Sequence, residues 1–393
     1  MDIDVEDDLM ERIIRDLRNV LENDLLIDEF DILPVHESMQ NKSPVIHVMN
    51  KLALENWCVK PLYIYVYKKF FVWRNKKLKT NIETVLMWTC VILLINPEIE
   101  TAWNARKELL CKSETTLRDK PKFTDELRFS ELVLSRKPKS SPVFAHRKWT
   151  LIKIKEEIIY PETIKHEFFV CIRMANLYAN NYYAWSHRSW IMQEILQSCL
   201  KSVTEELSQT EPWISSHISD HSGFHYRQFL LSCYRTASLN AKDATSCALH
   251  KQSQCMLELS EEKPDLCYSA IDNKLPLQQW IEFIHKELIF LSSLQNSYPG
   301  HETLWYHRRF LLREIKLTET DAFSSVKLPN TDDFLQNKRL KSEWDSKGMW
   351  NVAEEQDFLD HCCNKSTNIS WEKTLIAKHV KWLNNVLQWS LSI

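Results

Sequence analysis

Apolar residues recur along the chain in bursts of helical spacing, each preceded by a short polar break. In "YYAWSHRSWIM" (182–192) an aromatic is followed by His two residues later, Arg three later and a second aromatic five later; "LWYHRRFLL" (304–312) repeats those offsets. Aligning each aromatic that has Arg three residues on gives Trp103/Arg106, Phe144/Arg147, Trp185/Arg188, Phe224/Arg227 and Trp305/Arg308, spaced by 41, 41, 39 and 81 residues. A near-constant period in this range marks stacked supersecondary units. The last gap reads as two periods, with one unit lost or replaced.

Other offsets recur as well. Two residues after the Arg come Trp149, Trp190, Phe229 and Phe310, and four after it come Leu110, Leu151, Met192, Leu231 and Leu312. These positions share one broad helical stripe, so each burst is a helix with a buried face. The breaks before them ("NPEIET", "PKSSP", "ANN", "DHSG", "SYPGHE") follow further apolar segments such as "TIKHEFFVCIRMANLY" (163–178) and "LQQWIEFIHKELIFLSSL" (277–294). Each unit therefore reads as helix, turn, helix. Pro97, Pro142 and Pro299 fall in or beside the turns, where a missing N–H costs little.

The pattern predicts an all-α fold of helical hairpin repeats of about 40 residues over 80–315, an N-terminal helical extension over 1–79 and C-terminal capping helices over 349–393. "DLMERIIRDLRNVLENDLL" is an amphipathic helix, whereas "PLYIYVYKKFFVW" (61–73) alternates like a strand among helical neighbours, and both readings stand. Residues 238–270 read as a polar insertion and 316–348 as a polar flexible segment. In "TLIAKHVKWLNNVLQWSLSI" (374–393), Leu375, Val380, Leu383 and Leu387 recur at helical intervals beside Trp382 and Trp389, a helix expected to cover the open end of the array.

Composition sharpens this. Only three glycines (Gly223, Gly300, Gly348) occur in 393 residues, which argues against the turns and bulges of a sheet-rich fold. Lys+Arg 50 against Asp+Glu 53 gives net charge −3 and argues against nucleic acid as a partner. Eleven cysteines without a CxxC pair fit a reducing cytoplasm and no zinc ribbon. The acidic N-terminus lacks the plan of a signal peptide. The longest apolar run, "VLMWTCVILLI", has 11 residues, short of the ~20 that span a bilayer.

The repeated arginines read as structural, their stems packed between hairpins and their guanidinium groups bonded to a neighbouring turn or carboxylate. His146, His187 and His307, one residue before the Arg, read the same way. In "HISDHSGFH", His217, Asp220, His221 and His225 have spacings that suit a metal, or a turn capped by polar side chains; Gly223 is expected to interrupt a helix there.

The spellings "NPEIETAWNARKELL", "NNYYAWSHRSWIM" and "ETLWYHRRFLL" resemble the alpha-subunit repeat of protein prenyltransferases, Asn-Tyr-x-x-Trp-x-x-Arg followed by apolar residues. The resemblance is clearest over 80–315, and the first unit looks most like that of the Rab geranylgeranyltransferase alpha subunit. It implies a right-handed superhelix (alpha-alpha solenoid) that cradles a separate Rab-type beta subunit, which would hold the zinc and most of the substrate. It implies no cofactor in this chain, geranylgeranyl diphosphate as donor, and as acceptor a C-terminal cysteine, such as that of an already farnesylated SNARE. In the family a Lys five residues before the repeat aromatic supplies charge to the leaving diphosphate. That offset gives Glu98, Lys139, Asn180, Ser219 and Gly300 here, so Lys139 is the one catalytic candidate. Around it Ser141-Pro142 and Phe144 replace the usual Tyr and Trp, and a second reading leaves Lys139 a solvated loop lysine beside Arg136 and Lys137. Tyr182, matching the family Asn-Tyr, is a candidate for lining the substrate cleft, or a residue packed at a helix start. Two functions remain: the alpha subunit of a heterodimeric geranylgeranyltransferase, or a non-enzymatic helical-repeat adaptor.

Overall fold

The computed structural model describes residues 3–36, 41–76, 78–116, 123–155, 161–240, 276–324, 350–365 and 370–392. The chain divides into two compact units, Met1–Arg188 and Ser189–Ile393.

The first unit opens with α1 (Ile3–Asn23), whose buried face is Met10, Ile13, Ile14 and Leu17. A three-stranded sheet follows, within the stretch read from the sequence as a helical extension. Strand β3 (Lys51–Glu55) lies in the centre, parallel to β1 (Glu29–Leu33) with Phe30 opposite Leu52, and antiparallel to β2 (Val45–Val48) with Val45 opposite Leu54. The scarcity of glycine misled here because the tight β2–β3 connection takes its left-handed residue from Met49 (φ 52°). The ambiguous 61–73 stretch lies within α2 (Asn56–Lys76). Cys58, Leu62, Val66 and Phe70, four residues apart, are its fully buried stripe, and this period-four burial overrides the strand-like alternation.

Three hairpins complete this unit: α3 (Ile82–Ile95) with α4 (Glu100–Thr116), α5 (Phe123–Arg136) with α6 (Ser141–Lys155), and α7 (Pro161–Leu177) with α8 (Tyr182–Trp190). The apolar run 85–95 is the core of α3, with Val85 and Val91–Leu94 buried. The extension is stitched to the second hairpin by Phe30 N–H donating to Ser135 Oγ (3.0 Å) and Arg128 Nη2 donating to Leu25 O (2.5 Å).

The second unit begins with a π-helical turn (Ile191–Ile195) that continues α8. It holds α9 (Leu200–Ser216) with α10 (His221–Asn240), α11 (Pro276–Ser297) with α12 (Glu302–Ser324), and α13 (Val352–Lys365) with α14 (Ser370–Trp382), followed by a second π turn, Leu383–Leu387. Gly223 lies within the first turn of α10, so it does not interrupt the helix. Across the 81-residue gap between Phe224 and Trp305 the described hairpins are in direct contact. Arg227 of α10 pairs directly with Glu287 of α11, which also bonds His307 of α12, so the two hairpins are neighbours. The insertion expected at 238–270 and the polar segment at 316–348 lie largely outside the described residues. Among the described residues the fold is six helical hairpins, all-α apart from the small sheet.

Candidate functional site

The repeated Arg and His are the two ends of one buried relay whose middle member the sequence reading missed. Arg106 donates through Nε (2.7 Å) and Nη2 (2.6 Å) to Glu126 on the first helix of the next hairpin, and His146, on the second helix of that same hairpin, bonds the same carboxylate at 2.7 Å. Arg147 and His187 share Glu167 in the same way, Arg227 and His307 share Glu287, and Arg308 and His379 share Glu355. The His-position residue lies 20 residues after its Glu in the pairs 126/146, 167/187 and 287/307, and that spacing was the available signal. In α10 Tyr226 replaces His, its hydroxyl donating to Glu206 at 2.8 Å, again 20 residues away.

The first hairpin carries the Arg without the His, Ala105 preceding Arg106, and the last described hairpin carries the His without the Arg, Val380 following His379. The C-terminal helix is thus the second half of a sixth hairpin that keeps the His and has lost the Arg.

The repeat aromatics pack against the same histidines: Trp103 on His146 (4.5 Å between ring centroids), Phe144 on His187 (5.4 Å), Phe224 on His307 (5.3 Å) and Trp305 on His379 (5.0 Å). Trp185 is buried in the α8 stripe. Arg188 donates to Phe168 O at 2.6 Å and lies over the Phe168 ring.

Burial by itself would raise the carboxylate pKa of Glu126, Glu167, Glu287 and Glu355, but the facing guanidinium charge and the hydrogen bonds outweigh it and hold all four well below the usual range. Burial pushes His146, His187, His307 and His379 down in spite of their carboxylate partners. Geometry agrees: Nδ1 of His146 and of His379 has no hydrogen-bond partner, so a second ring N–H there would be buried and unsatisfied. An ionised carboxylate between an arginine and a neutral imidazole, all out of solvent, is a structural joint and presents no nucleophile.

Chemistry accessible to solvent lies at the turns. Lys139 occupies the α5–α6 turn and is exposed, its Nζ 4.7 Å from the centroid of the Tyr178 ring at the end of α7. The neighbouring cation, Arg136, is committed to Ile95 O (3.1 Å) and Leu94 O. Asn181 is fully buried and donates from Nδ2 to Pro138 O at 2.7 Å, tying the α7–α8 turn to the turn that carries Lys139. Its Oδ1 accepts from Ala184 N–H at 3.2 Å and caps α8. Tyr182, the next residue, projects 58% exposed from the first position of α8, edge-on to Tyr183. Lys139 and Tyr182 thus flank one interturn hydrogen bond. At the position equivalent to Lys139, the later turns place Asn180 (φ 54°) and Gly300 (φ 89°) in the left-handed region, which a lysine resists, whereas Lys139 keeps an ordinary φ.

The "HISDHSGFH" residues are dispersed into capping and packing. His217 stacks on Trp213 (4.0 Å) at the end of α9, Asp220 Oδ1 accepts from Gly223 N–H (2.8 Å) at the start of α10, His221 bonds Thr303 Oγ1 (3.1 Å), and His225 is exposed. Among the described residues no group of His, Cys, Asp and Glu could hold a metal ion, and no helix is long and apolar enough to cross a membrane.

The relatives accord with this architecture. The model of the protein prenyltransferase alpha subunit repeat matches residues 164–195, 203–234 and 284–315, which fall on the third, fourth and fifth hairpins. Protein prenyltransferase alpha subunit repeat-containing protein 1 of Homo sapiens is 32% identical over 97% of this chain and 98% of its own. The chain belongs to the protein prenyltransferase alpha subunit repeat family. Within that family, protein 1-B of Xenopus laevis is 34% identical over 78% of this chain and 73% of its own. More distantly, the geranylgeranyl transferase type-2 subunit alpha of Rattus norvegicus is 26% identical over 58% of this chain and 34% of its own. The family model leaves the first two hairpins unmatched, yet Arg106 and Arg147 make the same joints there as Arg227 and Arg308 make later.

Proposed function

We propose that this chain is the alpha subunit of a heterodimeric protein geranylgeranyltransferase. It cradles a Rab-type beta subunit that carries the zinc, and works in the cytoplasm on a C-terminal cysteine, that of an already farnesylated SNARE being the acceptor the family resemblance suggests. The observation that carries the reading is Lys139: a cation on an exposed turn, at the family offset before a repeat aromatic, with no carboxylate partner among the described residues. Likeness to a geranylgeranyl transferase subunit supports the lipid class.

In the transfer a cysteine thiolate forms a bond to C1 of the isoprenoid as the C1–O bond breaks and diphosphate departs. Negative charge grows on the leaving oxygens, and a fixed ammonium aimed there lowers the barrier. Tyr182, exposed beside that turn, would line the protein-substrate side.

Co-expression with a Rab-type beta subunit, gel filtration and transfer of labelled geranylgeranyl from its diphosphate to C-terminal cysteine proteins test the reading. A one-to-one complex with transfer is expected. A complex without transfer, or no complex, would instead make the chain an adaptor.

A further inference from the structure

Tyr178 matches no position of the family motif, yet its ring is what Lys139 touches. We propose that Tyr178 is a positioning residue that holds the Lys139 ammonium where it meets the leaving diphosphate; this rests on the transferase reading above. The 4.7 Å from Nζ to the ring centroid lies inside the ~6 Å over which a ring face attracts a cation. A lysine has a flexible four-carbon stem and no intrinsic direction, so something must aim it. A carboxylate would aim it but would also take its protons and cancel its charge. A ring face attracts the cation and leaves its N–H groups free for an anion. Among the described residues no carboxylate pairs with Lys139, whereas Arg136 in the same turn is spent on helix-end carbonyls.

The platform is rigid. Tyr178 N–H donates to Met174 O at 3.2 Å, and Asn181, three residues on, donates to both Met174 O (3.1 Å) and Pro138 O (2.7 Å). The ring and the lysine are therefore carried on two turns locked by one buried amide. The pairing is specific to this turn. Tyr298 stands seven residues before Trp305 as Tyr178 stands before Trp185, but the residue matching Lys139 in the hairpin before it is Ser219, which bonds His301 instead. Tyr178 is 47% exposed, so its removal does not open the core.

Steady-state transfer by the heterodimer tests this alongside a spectrum of the chain carrying ¹³C-methylated lysines, with the Lys139 signal assigned by its loss in Lys139→Arg. Tyr178→Leu is expected to lower kcat roughly two- to five-fold, the range of an exposed cation–ring contact, with KM for the acceptor unchanged. Tyr178→Phe should restore the rate, and Tyr178→Leu should add nothing to Lys139→Ala. The Lys139 methyl signal should be shifted upfield by the ring, lose that shift in Tyr178→Leu and keep it in Tyr178→Phe. Wild-type turnover in Tyr178→Leu where Lys139→Ala is slow, or a Lys139 signal indifferent to Tyr178→Leu, would overturn the proposal. A wild-type complex that transfers nothing defeats the transferase reading itself, and the spectrum then decides alone whether the ring holds the lysine.

Discussion

Arg308 and Glu355, both fully buried, form a two-pronged ion pair across consecutive hairpins, with Nε and Nη2 of the arginine 2.8 and 2.6 Å from the two carboxylate oxygens. The guanidinium also lies 3.5 Å from the Phe358 ring centroid, one helical turn beyond the glutamate. Arg106 over Phe129 and Arg227 over Phe290 repeat that stacking three residues after Glu126 and Glu287. Removing one partner strands the other charge out of water. Arg308→Met should cost about 3–5 kcal/mol of stability, and adding Glu355→Leu should recover part of it, as measured by urea unfolding.

The joints also set the response to acid. Each relay His is held below its unfolded value, so below about pH 6.5 the unfolded chain binds protons that the folded one refuses, and stability falls with pH. Each relay Glu is also depressed, Glu167, Glu287 and Glu355 to about 2, so their contribution is complete above about pH 4.5 and is lost as pH falls toward 2. Urea midpoints should therefore decline in two stages, the first starting just below neutrality. A midpoint flat from pH 7.5 to 5 would show that the histidines are not held neutral.

Asn181 joins stability to the site. Asn181→Ala removes the cap of α8 and the bond to the part-buried Pro138 carbonyl, at a cost of about 1–3 kcal/mol. In a heterodimer that still assembles it should also slow transfer, because Lys139 and Tyr178 would no longer ride on locked turns. Thermal melting and the transfer rate read the two effects separately.

Much of this was legible in the chain because the hairpin period fixes the stripe that each aromatic, His and Arg must occupy. Two kinds of feature were not. The relay glutamates were hidden because a lone Glu on a helix reads as a solvated face, and only the 20-residue interval to His146, His187 and His307 distinguishes it. The sheet was hidden because Met49 takes a backbone conformation usually reserved for glycine or asparagine. At the site, Lys139 follows from the family offset, but Tyr178 does not, since the contact depends on how two turns sit side by side.

The most direct test of the account is single-turnover transfer by the heterodimer carrying Lys139→Ala, with assembly checked by gel filtration. Normal assembly with transfer slowed by about tenfold or more is the expected result, the loss of one fixed donor to the departing diphosphate. Wild-type transfer in an intact Lys139→Ala heterodimer would contradict it and leave this chain a scaffold.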